Sequence, residues 1–131
     1  KDTYGNNYNV KFEVLEILRD NRKEKFHTEN LSNGVRVYVG SKDYFLPRGK
    51  YTYTIKYRTD RQLGFFDSFD ELYWNVTGNG WDFQIEKASA TVHLPSGTFS
   101  SELKALAYTG YQGDRGQNYI SEIKSSKKVY F

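Results

Sequence analysis

Three features predict an all-β fold, an antiparallel β-sandwich of about eight or nine short strands. Apolar residues alternate with polar ones in short runs, turn dipeptides recur between the runs, and no strand alternates with a long helical pattern. The aromatic load points the same way: 12 Tyr, 9 Phe and 2 Trp make 18% of the chain aromatic. Aromatic rings suit a pleated, half-buried surface, and tyrosine lays its ring in the core while its hydroxyl reaches the edge.

The elements follow in order. Lys1 to Asn9 is polar and reads as a frayed lead-in. Val10, Phe12 and Val14 then alternate with Lys11 and Glu13, the period of a strand. The segment Asp20 to Lys25 is turn-rich and predicts a hairpin back through Phe26, and Asn33-Gly34 predicts a tight turn launching Val35 to Val39. A turn at Pro47 to Lys50 precedes the clearest strand, Tyr51 to Arg58. There Tyr51, Tyr53, Ile55 and Tyr57 fall on one face, expected buried, and Thr52, Thr54, Lys56 and Arg58 on the other.

Glu71 to Val76 reads as a buried strand containing Trp74, closed by Gly78-Asn79-Gly80; Ser68 to Glu71 matches a capping box but leaves room for one helical turn at most. Trp81, Phe83 and Ile85 share one face, and Ala88, Ala90, Val92 and Leu94 share a face of opposite parity. A bulge near Glu86-Lys87 would reconcile the two sets. Leu103 to Tyr108 is short and followed by Gly110, which favours strand over helix; Tyr119 to Ile123 and Lys128 to Phe131 close the fold. This succession of short strands and turns is that of the immunoglobulin-like sandwich, or of a related open barrel.

At 131 residues the chain fits one domain and is long enough to bury a core. Cysteine is absent, so disulfides, thiol nucleophiles and cysteine-ligated zinc are excluded. Methionine is absent too, and residue 1 is read as lying inside a longer protein of which this is an excised fragment. No apolar run approaches the ~20 residues of a membrane span. Lys and Arg number 19 against 16 Asp and Glu, net +3. The densest basic segment, Arg19 to Lys25, is broken by Asp20 and Glu24, so it reads as a solvated turn and no nucleic-acid partner is expected.

Candidate chemistry is sparse. Asp67, Asp70 and Glu71 form the one acidic cluster, which suggests a calcium site or an acid–base pair; the glycine and distal glutamate of a calcium loop are missing, and a solvated loop entering a strand is the simpler reading. His27 and His93 lack the local pairing of imidazole metal sites, and no Gly-x-Ser-x-Gly elbow is present. No cofactor, metal or catalytic residue is therefore expected. Trp81, with nearby tyrosines, is the candidate for a carbohydrate-stacking platform; glycine beside it leaves room to project, but its parity with Phe83 and Ile85 points it inward, and Trp81 is expected to be mostly buried. Asn30-Leu31-Ser32 and Asn75-Val76-Thr77 match a glycosylation sequon that arises readily by chance, and Gly110 to Gly116 is a glycine-rich turn without the Lys-Ser/Thr of a phosphate cradle.

Several blocks carry a resemblance. Leu46 to Tyr57 (LPRGKYTYTIKY), Asp70 to Gly80 (DELYWNVTGNG), Trp81 with Ile85, Val92 to Pro95, and Tyr108 to Gly116 (YTGYQGDRG) resemble the YciQ-like predicted membrane proteins of bacteria, a domain-of-unknown-function family. The match runs roughly over residues 34 to 120. The resemblance implies an N-terminal extracytoplasmic β-domain, periplasmic or at the cell surface, tethered by transmembrane helices further along the parent chain. It also implies that the family's earlier strands and the segment leading into the membrane lie outside this sequence. It brings no catalytic residues. The expected role is a non-enzymatic interaction or structural module with a protein or cell-envelope partner. A carbohydrate-binding module is the alternative, and a carboxylate-based hydrolase a more distant one.

Overall fold

The computed structural model describes residues 9–32, 34–78, 81–98, 100–111, 113–125 and 127–131. The lead-in over residues 1–8, Asn33 of the Asn-Gly turn, Asn79 and Gly80 of the Gly-Asn-Gly turn, and Gln112 lie outside the described residues. The chain is all-β: ten strands and one short 3-10 turn, Ser100–Glu102, make up the regular structure of the described residues, and every strand pairing is antiparallel. No described helix is long and apolar enough to cross a membrane. The strands fall into two units, Lys1–Tyr73 and Trp74–Phe131.

The first unit is built on β1 (Phe12–Arg19), flanked by β2 (Arg22–Lys23) and β5 (Tyr53–Thr59). The β1–β2 connection is a two-residue turn in which Asp20 and Asn21 take positive φ of 49° and 63°, the geometry that matches the twist of a hairpin. Asp20 also ties the ribbon to the start of β5: its N–H donates to the Thr52 carbonyl (2.8 Å) and its Oδ1 accepts from the Thr52 N–H (2.9 Å).

The β1–β5 register slips between Val14 and Glu16. Leu15 is the extra residue, and the slip places Phe12, Val14 and Ile17 on one face with Tyr57 and Ile55. The opposite face pairs Glu13 with Arg58 and Glu16 with Lys56, two opposite-charge matches directly across the ladder. Among the described residues Ile17 is the buried apolar side chain of this unit, 2% exposed. The division of Tyr51 to Arg58 into two faces is as expected over β5, but the aromatic face is not buried: Tyr51, Tyr53, Ile55 and Tyr57 all stay exposed, because a three-stranded sheet covers its apolar face only where a second layer lies on it.

Two hairpins complete this unit. β3 (Phe26–Leu31) pairs with β4 (Gly34–Val39), so the chain after Lys25 turns into a new ribbon and does not extend the β1 hairpin. On one face His27 stacks on Tyr38 (4.6 Å, 10°), and the Tyr38 hydroxyl donates to Glu29 (2.9 Å). Hydrogen bonding to the Tyr38 oxygen, with the charge of Glu29 nearby, raises the Arg36 pKa above its ordinary value, so Arg36 stays charged. β6 (Leu63–Phe65) pairs with β7 (Asp70–Leu72).

In the second unit β10 (Lys128–Tyr130) lies between β8 (Thr91–His93) and β9 (Glu122–Ser125). Val129 sits opposite both Val92 and Ile123 and is 6% exposed. Ala90 and Phe131 exchange two backbone bonds (3.1 and 2.9 Å) and Leu94 N–H donates to the Lys127 carbonyl (2.9 Å), so Ala90, Val92 and Leu94 share the apolar face expected of them.

Three expectations are corrected. The strand expected over Glu71 to Val76 is limited to Asp70–Leu72, so Trp74 lies beyond its end and is 42% exposed. No strand forms at 81–90, and the bulge expected at Glu86-Lys87 is found instead in β1, at Leu15, with a second irregularity between Lys128 and Val129. Leu103 to Tyr108 forms no regular element. In each case the residue pattern suits a strand, but a strand needs a neighbour to take its backbone bonds.

Candidate functional site

The acidic cluster sits on the β6–β7 hairpin of the first unit. Phe65 and Asp70 form its last pair, and Phe66 N–H donates to the Phe69 carbonyl (3.0 Å) to close a four-residue loop with Asp67 and Ser68 at its tip. The Phe66 and Phe69 rings stack beneath that tip (4.8 Å, 24°). Gly64 makes room for them: a Cβ there would come within 2.9 Å of the Phe66 ring. Asp70 and Glu71 are consecutive in β7 and so project to opposite faces, which separates them as an acid–base pair. Among the described residues no three potential metal ligands converge, here or elsewhere. The hairpin instead presents apolar surface, with Phe65 at 74% exposed and Phe66 and Phe69 both exposed.

Trp81 belongs to the second unit and is 66% exposed, which corrects the expectation that it is buried. Its indole Nε1–H donates to the Thr77 carbonyl (2.5 Å), and Gly78, with φ of 71°, gives its N–H to the Asn75 side chain (2.9 Å). The Thr77 carbonyl thus holds the indole outside any strand, so the parity with Phe83 and Ile85 decides nothing. His27 and His93 lie at exposed strand positions, one in each unit.

The glycine-rich turn is closed by its own bonds. Thr109 and Gly116 exchange two backbone hydrogen bonds (both 3.0 Å), and Asp114 Oδ2 accepts from Tyr111 N–H (2.8 Å). A Cβ at Gly110 would meet the Asp114 carboxylate at 2.6 Å, and φ there is 119°; one at Gly116 would strike the Thr109 carbonyl, so Gly116 serves close backbone approach. Asp114 is committed to the loop itself.

The basic segment Arg19 to Lys25, expected as a solvated turn, forms the end of the β1–β2 hairpin. Arg19 Nε lies 2.9 Å from Glu24, a half-buried ion pair, and its guanidinium sits 6.0 Å from the centre of the Tyr51 ring. The Tyr51 hydroxyl donates to the Pro47 carbonyl (2.7 Å), fixing the ring beside a cleft of about 490 Å³ that Arg22, Lys23 and Tyr44 also line. The available signal was the acids interrupting the basic run.

Residues 1–130 match the family described as "Predicted membrane protein (DUF2207) N-terminal domain", a wider match than the blocks at 34 to 120. The chain is 32% identical over 109 residues to "Uncharacterized protein YciQ" of Escherichia coli (strain K12). That alignment covers 83% of this chain and 17% of the relative, so the chain spans less than a fifth of that protein. No solved structure matches.

Proposed function

Because the chain belongs to the DUF2207 family of predicted membrane proteins, as its N-terminal domain, we propose that it is an extracytoplasmic interaction module of a bacterial membrane protein, with no catalysis of its own. The observation that carries this reading is the β6–β7 hairpin tip, where Phe65, Phe66 and Phe69 are held in fixed relation yet left in solvent. Contiguous exposed apolar surface with a polar rim, here Asp67, Ser68 and Asp70, marks a surface that a partner covers. The fold proposed for the domain is the immunoglobulin-like sandwich, in which antiparallel strands lay apolar faces on a shared core. Each unit by itself presents an apolar strand face, that of Ile17, Ile55 and Tyr57 in the first and that of Val92 and Val129 in the second. Its tethering to the membrane falls to segments of the parent chain outside this sequence.

The test is site-specific photocrosslinking in the full-length protein, with the crosslinking residue at Phe65 or Phe69. A discrete adduct with an envelope protein, missing when the group is placed at Glu13, is expected. Identical patterns from all three positions would remove the hairpin from the account.

A second reading, carbohydrate binding, is favoured by the exposure of Trp81 and the fixing of its indole by Thr77. A change in Trp81 emission on titrating a cell-wall glycan, lost in Trp81→Ala while the fold is kept, would make it the better one.

A further inference from the structure

Arg19 and Arg22 stand directly opposite each other across the β1–β2 hairpin, the last pair before its turn. Like charges facing each other across a ladder repel. The nearby carboxylates form no ion pair with Arg22: Glu24 binds Arg19 Nε and the Lys25 N–H (3.1 Å), and Asp20 accepts from the Thr52 N–H. Among the described residues neither Arg22 nor Lys23 has an ion-pair partner. Arg19 spends one donor on Glu24 and keeps those on its two terminal nitrogens. Two arginines are therefore directly opposite each other beside a cleft that Lys23 also lines, together with the carboxylates of Asp20 and Glu24.

We propose that this cleft binds an acidic saccharide. Arg19 and Arg22 hold its carboxylate or phosphate, since the guanidinium fork matches a planar oxyanion with two parallel hydrogen bonds. Lys23 adds a third positive charge. Tyr44 supplies an exposed ring, beside Leu46 and Pro47, against which the apolar face of the sugar lies. An oxyanion between the arginines converts their repulsion into shared attraction, so the hairpin gains stability when the site fills. The site lies wholly within the first unit and is independent of the Phe65–Phe69 surface.

The test titrates the 131-residue chain with an oligogalacturonide, a neutral oligosaccharide of equal length and inorganic phosphate, followed by calorimetry and by the arginine Nε–H resonances. The acidic oligosaccharide is expected to bind and to shift Arg19 and Arg22. Phosphate is expected to bind more weakly and the neutral sugar not at all. Arg22→Gln is expected to weaken binding by about tenfold, the scale of one charge-assisted hydrogen bond, while its unfolding midpoint stays or rises because a repulsion is gone. Tyr44→Ala is expected to lower affinity for the oligosaccharide and leave that for phosphate unchanged. Failure of the oligogalacturonide to bind, equal binding of the neutral sugar, or full affinity in Arg22→Gln would overturn the site. A lowered midpoint in Arg22→Gln would show a structural arginine and overturn it too, and phosphate binding as tightly as the oligosaccharide would overturn the saccharide.

Discussion

Ile17 and Ile55 face each other across the β1–β5 ribbon because Leu15, the extra residue of β1, shifts the register by one. Ile17 is nearly sealed from solvent. Ile17→Ala is therefore expected to destabilise the chain by about 2–5 kcal/mol, the range for truncating a buried aliphatic side chain. Trp74→Ala, at a half-exposed position, is expected to cost less than the ~3–5 kcal/mol of a buried aromatic. Chemical denaturation of the two variants side by side checks the order, and a larger loss at Trp74 would contradict it.

The polar face of the same ribbon sets Glu16 opposite Lys56. Glu16→Lys places like charges across the ladder and is expected to cost about 0.5–1 kcal/mol. Because the pair is screened, the difference from the parent chain is expected to shrink in ~1 M salt. A loss that does not change with salt would mean that packing, not charge, is at stake.

Gly116 and Gly34 test the backbone directly. A Cβ at Gly116 strikes the Thr109 carbonyl, while one at Gly34 meets nothing within 4 Å. Gly116→Ala is expected to cost about 1–3 kcal/mol, as overpacking does, and to open the Thr109–Gly116 bridge. Gly34→Ala is expected to be close to neutral. Amide exchange at Thr109 and Gly116 reads the bridge; protection unchanged in Gly116→Ala would contradict the close approach.

In a Trp74→Phe background Trp81 is the one indole, and its fluorescence is expected to be quenched readily by acrylamide, as suits a ring exposed in solvent. Poor quenching would return Trp81 to a buried face.

Much of the fold was legible where side chains alternate beside a partner. Tyr53 to Arg58 announces both faces of β5, and Val92 and Leu94 announce the apolar side of β8. The spacing of Val14 and Ile17 carried the bulge, but a three-residue step between apolar residues reads as a break until the facing strand is known. Trp81, Phe83 and Ile85 alternate as cleanly, yet the Thr77 carbonyl captures the indole N–H and no strand forms there. Of the candidate site residues, Glu71 was expected in a strand and lies in one, but the strand position of Asp70 and the pairing with β6 were not expected. The Arg19–Arg22 opposition was not expected either, because it depends on a two-residue turn at Asp20-Asn21 that sets those residues across from each other.

Labelling of an introduced cysteine tests the central claim most directly. This chain contains no cysteine, and Tyr111 is 91% exposed with its backbone N–H fixed by Asp114. In the full-length protein, freed of any other cysteine, Tyr111→Cys is expected to react with a membrane-impermeant maleimide on intact cells. Labelling that appears only after the inner membrane is permeabilised would place the domain in the cytoplasm and contradict the extracytoplasmic reading.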